Sequence, residues 1–371
     1  MRQKKPDLTF TILLGVLILL GLVVLTSASG PVAYQKFGDS YWYLKHQVLY
    51  GLLPGLVLFL LASRIDYRLW RRWSKVLFVI AVTALLLVFV PGLSAEWGTS
   101  KSWISLAGLS FQPAEMAKLS TVFFLATLFE RQRDREGEVD GSLWPFLAVI
   151  GLLAALIMAQ PDLGSLSVII AASFLIYFLA GAPWRHVAGL VAGGLLSIGI
   201  LVKTAPYRAA RLTTFLHPEL DPQGIGYHIN QAFLAIGSGG LFGVGLGHSR
   251  QKYLYLPEVV GDSIFAVLAE ELGFIFTLAA IMVIMAFVWR GLTIAKNAPD
   301  TFGRLVAVGI IGWVFFQTVF NIGSMVGILP VTGLPLPFVS YGGTALAVLL
   351  GAMGVVVNIS RQSATRTVRR I

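Results

Sequence analysis

The sequence predicts an all-α, polytopic integral membrane protein with about ten transmembrane helices. Three observations lead there. Of the 371 residues, 56% are hydrophobic and only 12% are charged, where a soluble domain carries about a quarter. The apolar residues fall in runs of about 20, the length that crosses the hydrocarbon core of a bilayer. Lys and Arg collect beyond alternate ends of those runs, the asymmetry that orients membrane proteins.

The spans read, in order, as 8–29, 46–63, 74–92, 113–130, 143–160, 164–181, 184–204, 262–289, 303–327 and 342–360. Span one follows Met1-Arg-Gln-Lys-Lys-Pro-Asp7. It is too long for a signal h-region and has no small-residue cleavage site before Ser29-Gly-Pro31, so it is read as retained, with its basic end in the cytoplasm. The cytoplasmic segments are then 1–7, 64–73, 131–142, 182–183, 290–302 and 361–371. With their immediate flanks they hold about 19 of the 28 Lys and Arg, which places both termini in the cytoplasm and requires an even number of spans. The net charge of +10 therefore reports topology. It does not point to nucleic acid, because no basic stripe with interleaved aromatics exists.

Two outer loops carry polar and aromatic residues. Loop 93–112 holds Trp97, Trp103 and Phe111; aromatics at headgroup level are ordinary anchors. The large extracytoplasmic loop 205–261, between spans seven and eight, holds Tyr227, His228, a glycine-rich run from Gly237 to Gly247, and Tyr253 to Pro257. Asn230–Ile236 within it is amphipathic and is read as a short interfacial helix. The chain reads as one transmembrane domain over 1–371, without an evident internal repeat.

The few charges near span ends are the candidate functional residues, because charge at the edge of a bilayer is costly to hold. In Gln112-Pro-Ala-Glu-Met-Ala-Lys118, Pro113 suits a first helical turn and Glu115 sits where the helix dipole favours a carboxylate. Lys118, three residues on, shares its face. The pair is either a helix-start signal with an intrahelical ion pair or a cation placed to meet a phosphate. Asp162 in Gln160-Pro-Asp-Leu-Gly164 opens span six, as a helix cap or as a site carboxylate. Asp262 in Pro257-Glu-Val-Val-Gly-Asp262 opens span eight with the same two readings. Two turns deeper, Glu270 and Glu271 require either a wet cavity or a bond to a neighbouring helix, the latter being favoured. Thr332-Gly-Leu-Pro-Leu-Pro-Phe-Val-Ser-Tyr-Gly-Gly343 cannot be regular helix. At membrane depth such backbone lines a cavity or is buried in protein.

Other chemistries lack their residues. There is no cysteine, so disulfides and thiol chemistry are excluded. There is no phosphate-binding Gly-rich Lys loop, no βαβ unit around Gly243-Val-Gly-Leu-Gly247, no metal spacing among the five His and no Gly-x-Ser-x-Gly elbow. Charges at mid-span are scarce, which argues against an ion or proton relay.

Taken in order, these motifs resemble the SEDS family (shape, elongation, division and sporulation), most closely its RodA branch, over nearly the whole chain. The likeness includes Trp103-Ile, Gln112-Pro-Ala-Glu-x-x-Lys118, Gln160-Pro-Asp-Leu-Gly164, Gly224-x-Gly-Tyr-His-x-x-Gln231, Leu256-Pro-Glu-x-x-x-Asp262, Ala269-Glu-Glu-Leu-Gly273 and the Pro330–Gly343 run. The chain departs from the family pattern at Ser102, Ala114, Val260-Gly261 and Ser263. The resemblance implies a peptidoglycan glycosyltransferase of cell elongation, in the bacterial plasma membrane. It would polymerise lipid II at the outer face and release undecaprenyl diphosphate. Its expected partners are a class B penicillin-binding protein and other elongation-complex proteins. Asp262 is the implied catalytic carboxylate. Glu115, Lys118, Asp162, Trp103, Gln112, Gln160, Gln231, Arg211, Ser340 and Tyr341 are the expected cavity residues. Lys118, with Arg208, Arg211 or a divalent cation (Mg or Mn), would supply charge to the diphosphate; no nucleotide or organic cofactor is expected. A lipid II flippase and a non-catalytic scaffold are the competing readings.

Overall fold

The computed structural model describes residues 5–97, 100–106, 109–136, 139–204, 213–217, 220 and 224–363. Its long helices are α1 (Leu8–Phe37), α2 (Trp42–Arg64), α3 (Arg68–Leu87), α4 (Pro113–Glu136), α5 (Leu143–Ala159), α6 (Leu163–Ala180), α7 (Trp184–Thr204), α9 (Ile264–Lys296), α10 (Thr301–Met325) and α11 (Gly343–Ser363). A shorter helix, α8 (Ile225–Ser238), precedes α9. The ten long helices occupy the ten predicted spans. Seven of them are long and apolar enough to cross a membrane by that criterion alone. Large apolar side chains on α1, α2, α3 and α9, such as Leu19, Val57, Val79 and Phe274, point outward, as lipid-facing residues do. The chain is an all-α, multi-pass membrane protein.

Helix ends follow caps more than apolarity. Asp7 starts α1 by accepting from Phe10 N at 3.0 Å, and Gly38, with φ 72°, closes it. Pro31 does not stop the helix, which runs eight residues past the expected end at 29. Asp162 caps α6 by accepting from Ser165 N, and Asp300 caps α10 by accepting from Gly303 N. Helix α9 likewise continues to Lys296, beyond the expected 289. Between α3 and α4 the chain departs from pure helix. A three-stranded antiparallel sheet, β1 (Ser94–Trp97), β2 (Ser100–Leu106) and β3 (Leu109–Phe111), occupies the loop read as an aromatic anchor segment. Ala95 pairs with Trp103 and Ile104 with Phe111.

The core gathers around α4, α6 and α10, where Phe129, Tyr177, Phe302 and Trp313 are wholly enclosed. Helices α2 and α11 pack with backbones almost touching: a Cβ at Gly354 would stand 2.5 Å from the Phe59 carbonyl oxygen, the small-residue contact that membrane helices favour. Helix α8 lays Ala232 and Ala235 against Phe265 and Val267 of α9. The expected amphipathic helix at 230–236 thus exists, as part of a longer one.

Helix α9 is broken. Gly273 has φ 75° and ψ 178° inside it, a region only glycine enters readily. The backbone groups freed there are taken by the glycine-rich loop. Val244 N donates to Glu270 O and Gly245 N to Glu271 O, each at 3.0 Å, while Phe274 N donates to Gly240 O at 2.8 Å. The loop completes the helix where the chain cannot.

Candidate active site

Asp262 lies in the loop just before α9 begins. The helix starts after Ser263, which occupies the cap position, so the helix-cap reading of Asp262 does not hold. Its side chain is 7% exposed. Burial, with the charge of Glu258 added, pushes its carboxyl up to about 7. Ser263 Oγ donates to Pro257 O at 2.7 Å and stands 3.4 Å from Asp262 Oδ1. His228 of α8 brings Nε2 to 2.6 Å from Ser263 Oγ and 4.0 Å from Asp262 Oδ1. Burial lowers the His228 pKa, which keeps the imidazole neutral at pH 7. With the Ser263 proton given to Pro257, Nε2 is the donor in that contact.

The 332–343 segment is the hub that joins this loop to the other motifs. Asn321 of α10 donates through Nδ2 to both Asp262 O and Leu334 O, each at 2.7 Å. Ser340 Oγ accepts from Leu336 N and donates to Gly261 O at 2.6 Å. Tyr341 N donates to Val260 O at 2.8 Å. Tyr341 stacks edge-on to Tyr43 at 4.8 Å, and burial raises its hydroxyl to about 12, so it stays protonated. Gln47 donates to Ser340 O and accepts from Gly342 N. Irregular, Pro-rich backbone is thereby satisfied by side chains from α2 and α10.

Glu115 and Lys118 reach the same segment from α4. Lys118 Nζ donates to Glu115 Oε1 at 2.7 Å and to Gln317 Oε1 at 2.9 Å, over the Trp313 ring at 5.4 Å. Gln317 in turn donates to Pro335 O at 2.9 Å. Glu115, Gln317, Leu336, Ser340 and Tyr341 line one tight cavity of about 20 Å³, the size of a single water. The intrahelical ion-pair reading is therefore realised, and Lys118 already has its counter-ion. The pair is buried to within 2% on both sides. Lys118→Met leaves a buried carboxylate unpaired and is expected to cost ~3–5 kcal/mol. Adding Glu115→Gln should restore much of the loss, read as melting temperature in detergent; a double variant no more stable than the single one contradicts this.

The remaining expected residues divide. Asp162 is half-buried, caps α6 and accepts from Gln112 Nε2 at 3.2 Å. Gly164 behind it abuts Thr332 O, so this corner touches the hub. Gln231 is half-buried on α8, one turn past His228. Gln160 does not join: it is buried and donates to Leu85 O of α3 at 2.8 Å. Trp103 sits half-buried in β2. Arg208 and Arg211 lie outside the described residues. Glu270 and Glu271 are structural, as favoured. Glu270 accepts from Ser249 Oγ and Arg250 N; Glu271 accepts from Lys252 Nζ at 2.8 Å and Ser27 Oγ at 2.6 Å.

The family model covering FtsW, RodA and SpoVE, described as cell cycle protein, matches residues 7–365. The chain belongs to this SEDS family. Stage V sporulation protein E of Bacillus subtilis is 41% identical, over 98% of this chain and 99% of its own. A probable peptidoglycan glycosyltransferase FtsW of Geobacter sp. (strain M18) is 36% identical, over 97% and 98%. Among solved structures, a chain from a peptidoglycan synthase complex coordinating polymerization and crosslinking matches with TM-score 0.79 at 29% identity, over 97% and 99%. Thermus thermophilus RodA matches with TM-score 0.71 at 28% identity, over 97% and 98%. The similarity spans all three branches, so the placement narrows to the family and not to the RodA branch.

In this SEDS chain, sequence reasoning missed Gln47, Trp313, Gln317 and Asn321. Each is a polar group inside an apolar helix, the signal that marks costly, kept residues. No three His, Asp or Glu side chains gather as metal ligands among the described residues. Among the described residues, Glu258 is the second carboxylate acting on Asp262, and one or two carboxylates together with substrate phosphates are the usual holders of magnesium.

Proposed function

We propose that this SEDS protein is a peptidoglycan glycosyltransferase. In this reading it polymerises lipid II at the outer face of the membrane. A buried carboxyl, in a loop held by α8, α10 and the 332–343 segment and pushed by burial up to about 7, carries the proposal: general bases work best when their pKa lies near the operating pH. The acceptor sugar 4-hydroxyl gives its proton to Asp262 as its oxygen attacks the donor anomeric carbon. The bond from that carbon to the diphosphate breaks, and undecaprenyl diphosphate leaves with the electron pair. In-line attack inverts the centre, giving a β-linkage from an α-linked donor, and needs one carboxylate rather than two. Lys118, joined to the hub through Gln317, is the cation offered to the leaving diphosphate once Glu115 yields it. A divalent cation would arrive with the diphosphate as its counter-ion. Likeness to a chain of a peptidoglycan synthase complex supports a transpeptidase partner, a class B penicillin-binding protein.

The test is lipid II polymerisation by the purified chain in proteoliposomes, with and without that partner. Glycan strands support the proposal; lipid II crossing the bilayer without strands replaces it with a flippase. The kcat profile should fall with slope one as pH drops through about 7, because the base must be deprotonated. A limb near 4 would mean an ordinary carboxyl. As to process, the motif resemblance supports elongation, while the 41% identity with SpoVE supports sporulation. Depletion that rounds the cells favours the first; a defect confined to spores favours the second.

A further inference from the structure

A cavity lies at the opposite end of the bundle from Asp262, at the ends of α4, α5, α6 and α10 that the Lys and Arg distribution puts in the cytoplasm. It measures about 480 Å³ and is lined by Arg133 of α4, Arg304 of α10, Asp140, Leu179, Gly181 and Pro183. Among the described residues its charges do not balance. Asp140 is engaged by Arg185, and His186 stands 3.3 Å from its second oxygen. Arg133 and Arg304 have no acidic partner within ion-pair distance among the described residues. Arg304 spends Nη2 on the Leu179 carbonyl at 3.4 Å, while its Nε is buried without any partner. Two guanidinium groups lining one cleft, one of them with an unfilled donor, offer the N–H groups that bind phosphate oxygens. Arg71, by contrast, is satisfied by Glu130 from α4.

The rim indicates the source of the phosphate. Phe178 and Leu179 are exposed beside the cleft, and Trp184, next to Pro183, is 75% exposed. Apolar side chains and an interfacial Trp next to a basic pocket between spans suit a headgroup whose acyl chains stay in the bilayer. We propose that Arg133 and Arg304 form a binding site for the phosphate of an anionic phospholipid of the cytoplasmic leaflet.

The full chain would be placed in nanodiscs of phosphatidylcholine with or without phosphatidylglycerol. Retained lipid is read by native mass spectrometry and stability by melting temperature. Wild type should retain phosphatidylglycerol and melt higher with it. Arg133→Gln/Arg304→Gln should hold it about thirtyfold less, since each Arg near an anionic membrane surface contributes about fivefold. Arg135→Gln, an exposed change of equal charge one turn-half away on the same helix end, should bind as wild type. If the double variant does not fold, Arg133→Gln alone, on an exposed helix end, carries the comparison. Inorganic phosphate added to phosphatidylcholine discs separates the sources: an equal rise in melting, lost in the variant, keeps the phosphate site but makes free phosphate its ligand. No retention by wild type, or equal retention by Arg133→Gln/Arg304→Gln, overturns the proposal.

Discussion

Replacing Asp262 by Ala will abolish glycan polymerisation while leaving the protein folded. The loss should reach at least ~10²-fold, the lower bound for removing a positioned general base. The fold should survive because little depends on this carboxylate. It caps no helix, and the contacts that fix its loop are made by neighbours: Asn321 to the Asp262 backbone, Ser340 to Gly261 and Tyr341 to Val260. Its ionised form is penalised by burial, so its removal relieves a cost. The variant should match wild type in yield and melting, with no strands formed from lipid II. Asp262→Asn keeps the shape and should be equally inactive, which separates proton transfer from packing. Near-normal strand formation by either variant would sink the assignment.

Gly273→Ala is the second large effect, and it acts on folding. The residue sits at φ 75°, ψ 178°, and a Cβ there would lie 2.1 Å from Gly243 N. The conformational penalty alone is ~1–3 kcal/mol. The clash is with backbone, so relief requires moving the glycine-rich loop and the hydrogen bonds it gives α9. Together these should exceed ~4 kcal/mol and leave little monodisperse protein. Gly237→Ala is the control: a Cβ there meets nothing within 4 Å, and in helix Ala is favoured over Gly. Equal melting of Gly273→Ala and wild type would show that the break in α9 is not needed.

The spans were legible because hydropathy measures directly what the bilayer demands. The start of α1 at Leu8 was read correctly, but other ends were not, because Gly38 and the cap at Asp300 decide them and apolar content does not. The sheet at 94–111 was hidden because Ser102, Trp103, Ile104 and Ser105 do not alternate polar with apolar, so no strand period marks them, and the aromatics were read as anchors. Within the site, Glu115 and Lys118 could be paired from their spacing, since helix geometry puts residues three apart together. Gln317 stands 199 residues from Lys118 and Asn321 stands 59 from Asp262, and neither has a local period to reveal it. Glu270 and Glu271 showed that they needed partners; only the fold identifies these as Lys252, Ser249 and Ser27.

The closed Lys118–Glu115 pair makes anion capture at this site an exchange. A diphosphate arriving at Lys118 displaces a carboxylate that is already stripped of water and already in contact. The incoming group gains only the difference between two anions, and the tethered one stays within a helical turn. On the proposed mechanism, Glu115 would close behind the leaving lipid diphosphate and cancel the field that held it. A resident competitor of this kind would trade tight product binding for prompt clearance, as suits a polymerase that must empty the same seat after every disaccharide added.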